Sequence, residues 1–181
     1  MLSRPQNYSE SIRATLGRIS EACRSAGRSV DSVTLLAVSK GQGAAAIDSA
    51  ARAGLEHFGE NFLQESLPKI ESLAGRELTW HFIGRLQANK TRPVAEHFHW
   101  VHGVDRPKIA ERLSAQRPFH ATPLNVCLQL HVGGEASKGG VEAAEMPELA
   151  RAVKALPGIR VRGLMSMPPA DPDVSVQRQW F

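Results

Sequence analysis

The sequence predicts a parallel α/β fold of the (β/α)8, TIM-barrel type, with about six βα units present. Three observations carry this reading. Short apolar segments alternate with amphipathic helical segments along the whole chain, as consecutive βα units require. The apolar segments are short and regularly spaced, and no GxGxxG turn follows any of them, which favours a barrel over a dinucleotide-binding sheet. Polar residues collect just after the apolar segments, where parallel barrels build their sites.

The elements follow in order. Residues 7–26 form a helix, because Ile12, Leu16, Ile19 and Cys23 fall on one face. Asn7 or Ser9 is placed to cap it, and Gly27 to stop it. Residues 32–39 read as the first strand and 44–53 as an alanine-rich helix closed by Gly54. A very short strand lies at 55–61, with a polar end. Residues 62–73 have helical spacing at Leu63, Leu67, Ile70 and Leu73, but Pro68 interrupts them. A proline inside a helix costs about 3 kcal/mol, so a bend or a restart after Ser66 is expected.

Strands at 78–84 and 99–104 are followed by helices at 88–96 and 106–116. Pro107 suits the first turn of its helix. The clearest strand is 124–132, where Leu124, Val126, Leu128, Leu130 and Val132 alternate with Asn125, Cys127, Gln129 and His131. A helix at 142–155, a strand at 159–165 and the opening turns of another helix at 174–181 complete the chain.

Composition limits the function. With 181 residues, 42% hydrophobic and 22% charged, the chain suits one buried core. The net charge of +4 is scattered, with no basic stripe and few aromatics, so a nucleic-acid partner is not expected. No run reaches the roughly 18 apolar residues of a membrane span, and no membrane partner is expected. Cys23 and Cys127 are far apart and in no metal-type cluster, so they read as reduced structural thiols of a cytoplasmic protein.

One residue stands out. Leu35-Leu36-Ala37-Val38-Ser39 ends in Lys40. Alternation puts Lys40 on the side of Thr34, Leu36 and Val38. If that side faces inward, apolar walls favour the neutral, nucleophilic amine that condenses with an aldehyde. On position alone, the other reading is a lysine that simply reaches solvent from a strand end. His81, at another strand end, is a packed core histidine or a site residue on the same evidence. Lys69, Lys108 and Lys154 fall on helices or loops and are expected in solvent.

A resemblance separates these readings. Leu35-Leu36-Ala37-Val38-Ser39-Lys40, Phe58-Gly59-Glu60-Asn61 and Trp80-His81-Phe82-Ile83-Gly84-Arg85-Leu86-Gln87-Ala88-Asn89-Lys90 resemble the pyridoxal phosphate homeostasis protein family (the YggS/PROSC type). Ser137-Lys138-Gly139-Gly140 and Arg162-Gly163-Leu164-Met165-Ser166-Met167 resemble it further along. The resemblance implies a single barrel domain over residues 1–181, similar to the alanine racemase N-terminal domain. It implies that pyridoxal 5'-phosphate is held as a Schiff base on Lys40, with Asn61, His81, Ser137 and Met165 near the cofactor. It implies a monomeric vitamin B6 carrier in intracellular cofactor homeostasis, without established catalysis, that serves pyridoxal-phosphate-dependent apoenzymes. A racemase or lyase is the alternative, but racemisation needs a second acid/base, and the one tyrosine, Tyr8, lies far in sequence from any strand end.

Two departures from the family pattern bear on the site. His131-Val132-Gly133-Gly134 replaces a polar Asn-Ile type strand end. The family's Gly-Met-Ser turn and Arg-Ile-Gly strand end, which hold phosphate and pyridine nitrogen, are not found in the sequence. The expectation is a domain incomplete at its C-terminal end, with weak cofactor retention or none.

Overall fold

The computed structural model describes residues 8–132 and 139–180. The chain divides into two compact units, Met1–Trp80 and His81–Phe181, and the division falls inside the third strand.

The first unit begins with α1 (Ser9–Ser25). Ser9 is the first helical residue and not the cap: the N-cap position is Tyr8, with no side-chain cap, and Asn7 lies outside the described residues. The stop is as expected. Gly27 has φ 63°, its N–H donates to the Arg24 carbonyl, and the Arg28 N–H reaches back to the Cys23 carbonyl at 2.9 Å. That pair of bonds closes a helix through a left-handed glycine. Of the predicted apolar face, Ile12 and Cys23 are buried while Leu16 is exposed.

A short 3-10 turn (Val30–Ser32) precedes β1, which is only Ala37–Val38. The expected strand at 32–39 is therefore mostly loop. β1 pairs in parallel with β2 (His57–Glu60), Ala37 opposite Phe58 and Val38 opposite Gly59. α2 (Ala44–Arg52) lies between them in sequence and buries Ile47 and Ala50. α3 (Leu63–Ser72) runs unbroken through Pro68, so the expected restart does not occur. β3 (Thr79–Phe82) starts with the Thr79 N–H bonded to the Glu56 carbonyl at 2.8 Å. Phe58 and Trp80 pack with ring centroids 6.0 Å apart, anchoring this unit's core.

The second unit continues from His81. The expected helix at 88–96 is a 3-10 turn (Ala88–Lys90) followed by α4 (Thr91–His97). Then come β4 (Trp100–Val104), α5 (Pro107–Gln116), β5 (Leu124–Leu130), α6 (Met146–Lys154), β6 (Ile159–Ser166) and α7 (Val174–Gln179). Each strand pairs in parallel with the next: His81 with Trp100, Val101 with Val126, Val126 with Val161. Val94, Phe98, Val101, Ile109, Leu113, Leu124, Val126 and Val153 are 1% exposed or less and form this unit's core. Phe82 and Phe98 meet edge to face at 5.4 Å. Parallel strands alternating with helices in both units give the expected α/β class. Both cysteines are buried free thiols.

A candidate cofactor site at the strand ends

In the first unit the chemistry gathers where β1 and β2 end. Ser39 is buried and Lys40, the next residue, is exposed. The inward, apolar-walled placement of Lys40 is corrected here: β1 stops at Val38, itself 53% exposed, and Lys40 stands in a turn. The Gln42 N–H donates to the Ser39 carbonyl at 3.0 Å, and Gly41 has φ 73°. Those features define a four-residue turn whose third position needs a left-handed φ, a conformation glycine reaches without strain. The turn offers the lysine to solvent at the mouth of the strand.

Beneath it lies a charged cluster. Glu60 ends β2 and is fully buried. Its Oε1 accepts a hydrogen bond from the Ser39 hydroxyl at 2.6 Å. Lys69, on α3, donates to both Glu60 oxygens at 2.9 and 3.0 Å and to the Ser39 carbonyl at 3.2 Å. A buried carboxylate is tolerated when its lone pairs find donors, and both oxygens of Glu60 do. Helical period assigns Lys69 to solvent, but the structure buries it. The buried stripe of α3 is Leu63, Ser66 and Lys69, which shares Leu63 with the predicted apolar face and then follows Ser66 and Lys69 in place of Leu67 and Ile70. A signal is present in the sequence: Glu60 ends β2 directly after Phe58 and Gly59 and, when buried, needs a cation, and Lys69 shares the three-residue spacing of Leu63 and Ser66.

Asn61 follows Glu60 directly. Its Oδ1 is buried without a hydrogen-bond partner. An orphaned acceptor of this kind costs on the order of 1–3 kcal/mol, so it is a place where a ligand donor fits. Pyridoxal phosphate offers such a donor, a ring hydroxyl, and the aldehyde that an exposed lysine takes. On this observation the residues fit the group. Tyr8 also departs from expectation: although distant in sequence, it lines a cavity of about 370 Å³ together with Ile12, Ala37, Ser39, Gln42 and Phe58.

In the second unit the predicted residues have different neighbours. His81 Nδ1 lies 2.9 Å from His102 Nε2. The His81 ring stacks on Trp100 at 5.4 Å and 16°, and the Arg162 guanidinium sits 5.5 Å from the Trp100 ring centroid. The register accounts for this, because His81 is the direct partner of Trp100 and His102 is two residues along the same face. Burial holds the His102 imidazole below its ordinary pKa. Burial also pushes the Cys127 thiol up, against the opposing charge of Arg162. Met165, partly buried on β6, is paired with Gln129, whose Nε2 donates to the Gly139 carbonyl at 2.6 Å. A Cβ at Gly139 would stand 3.2 Å from an Asp105 carboxylate oxygen, so Gly139 itself lies close to the residue after β4. Ser137 lies outside the described residues. Lys40 and Asn61 thus share the first unit, and His81 and Met165 the second.

Among the described residues, no group of histidines, cysteines and carboxylates is placed to hold a metal ion. No helix among them is long and apolar enough to cross a membrane.

These strand-end residues stand on a fold with known relatives. The family described as alanine racemase, N-terminal domain, matches residues 14–180. A crystal structure of an unknown protein from Bifidobacterium adolescentis superposes with a TM-score of 0.85 at 29% identity, covering 99% of this chain and 76% of that one. PipY of Synechococcus elongatus, solved with PLP bound, superposes with a TM-score of 0.71 at 38% identity, covering 91% of this chain and 75% of that one. The chain is thus of the alanine racemase N-terminal-domain class, a (β/α) barrel type. The "Pyridoxal phosphate homeostasis protein" of Pseudomonas aeruginosa is 55% identical over 172 residues, which are 95% of this chain and 75% of that protein. Within the class, the chain belongs to the pyridoxal phosphate homeostasis protein family.

Proposed function

We propose that this chain binds pyridoxal 5'-phosphate as a Schiff base on Lys40 and serves intracellular homeostasis of that cofactor. The observation that carries the reading is Lys40 itself, exposed in a turn anchored by buried groups at the end of β1. When bound, the cofactor supplies an aldehyde, which condenses with an amine with loss of one water. Lys40 presents that amine, and Asn61 supplies an acceptor with no partner of its own. His81, Ser137 and Met165 complete the proposed contacts, within one binding domain over residues 1–181. The Pseudomonas relative bears the name of a homeostasis protein, and the Synechococcus relative was solved with PLP bound. A cytoplasmic, monomeric carrier that passes its cofactor to apoenzymes follows from this reading.

The test is spectroscopic. With cofactor in excess, the parent chain develops the absorption band of a protein-bound Schiff base, and Lys40→Ala does not. Equal bands in both would remove Lys40 from the site.

Tyr8 favours a second, catalytic reading, because it lines the cavity that Ser39 also lines, next to Lys40. A racemase acting through Tyr8 would exchange the α-hydrogen of an amino acid with deuterated solvent, and Tyr8→Phe would stop the exchange. The carrier reading predicts no exchange in either protein.

A further inference from the structure

The cluster beneath Lys40 has no part in the Schiff base itself, yet it holds the residue before it at two points. The Ser39 hydroxyl is bonded to Glu60 at 2.6 Å and the Ser39 carbonyl to Lys69 at 3.2 Å. Glu60 ties the two together by accepting from Lys69 through both oxygens. The same carbonyl accepts the Gln42 N–H that closes the turn. It belongs to the peptide unit whose nitrogen is that of Lys40. Any rotation of that peptide would break the bond to Lys69, the bond to Gln42, or both.

We infer that Lys69 is a positioning residue for Lys40: clamped by buried Glu60, it fixes the Ser39 carbonyl and with it the turn that presents the Lys40 amine. This role rests on the reading of Lys40 as the Schiff-base residue and adds a part for a second lysine. Lys69 does not touch the cofactor. It acts through the backbone, and ordering of this kind keeps a reactive group within the narrow geometry that its reaction needs. A buried ion pair is often no better for stability than apolar packing of the same shape. Its placement under Lys40 gives it a use that packing would not supply.

Lys69→Met alone leaves Glu60 buried without its cation and risks unfolding the unit. The test therefore uses Glu60→Gln combined with Lys69→Met, and Lys69→Arg as the conservative variant. Two quantities are read on each protein. One is the rate at which pyridoxal phosphate and borohydride label residue 40, by peptide mass. The other, without cofactor, is hydrogen exchange at the Gln42 amide against that at Leu55, whose N–H bonds to the Ala50 carbonyl at 3.2 Å away from the cluster. The double variant should label residue 40 roughly tenfold more slowly or worse, the loss expected of one charge-assisted hydrogen bond. Its Gln42 amide should exchange faster while Leu55 is unchanged, and Lys69→Arg should recover part of both. A folded double variant that labels residue 40 at the parent rate with Gln42 still protected would overturn the inference and leave Lys40 in place. A parent chain that takes no label at residue 40 would overturn the Schiff-base reading instead. In that case Gln42 exchange still decides whether Lys69 holds the turn.

Discussion

The two units hold their polar side chains by opposite means. In the first, a fully buried carboxylate and a buried lysine lock the backbone ahead of an exposed lysine. In the second, two imidazoles and an indole pack ring against ring, with one guanidinium over the indole. The ionic arrangement holds a chain direction, because its bonds end on a backbone carbonyl. The aromatic one holds a surface, because its contacts join side chains of neighbouring strands. A lock of opposite charges fails abruptly when one partner goes, whereas a stack of rings erodes by degrees.

The sharpest way to break this contrast is Lys69→Met. It strands a fully buried Glu60 and should cost about 3–5 kcal/mol in chemical denaturation, with most of the loss regained in the Glu60→Gln, Lys69→Met double variant. If the single variant is as stable as the parent, the lock is not an ion pair in solution. His102→Phe, in the other unit, should cost only about 0.5–1.5 kcal/mol at a pH where the ring is neutral, the range for one neutral hydrogen bond.

The contrast extends to pH. Burial lowers the His102 pKa in the folded chain, so the unfolded chain binds the proton more readily. The stability this histidine contributes is present above its unfolded pKa of about 6.5. It is lost as the pH falls from there toward the lower folded value. Denaturation midpoints of the parent should therefore drop as the pH falls below about 6.5, and His102→Phe should flatten that drop. An unchanged slope would place the acid sensitivity elsewhere.

What the sequence reveals depends on which physical term decides each residue. Helices and strands set by apolar period are legible, and Gly27 alone marks the α1 stop. The first strand is overestimated, because Thr34, Leu35 and Leu36 have strand composition but no ladder there. Lys40 is legible at a strand end, but the greasy wall expected beside it is absent, because the turn at Gly41 lifts it into solvent. Lys69 is misread because period assigns a helical lysine to water unless a buried anion claims it. Glu60 lies nine positions before Lys69, and their charged groups stand 2.9 Å apart. No apolar period encodes that contact, because it depends on α3 packing against the end of β2. The orphaned oxygen of Asn61 is equally invisible to period, since burial and the lack of a donor emerge only once the chain has folded.

The smallest expected effect sharpens the contrast from the ligand's side. Asn61 Oδ1 gains nothing from the protein, so Asn61→Ala should leave the cofactor-free chain at least as stable as the parent. The same variant should weaken pyridoxal phosphate binding, read by titration of the Schiff-base band. A marked loss of stability without cofactor, with binding intact, would make Asn61 a structural residue.

The most direct test of Lys40 as the attachment point is the site of covalent capture. The parent chain is incubated with pyridoxal phosphate, reduced with borohydride, digested, and every lysine peptide is weighed. Lys40 should carry the reduced cofactor in preference to every other lysine, and Lys40→Ala should not shift the label to a neighbour. Label spread evenly over the exposed lysines, or centred on Lys69 or Lys90 with Lys40 unmodified, would contradict the assignment.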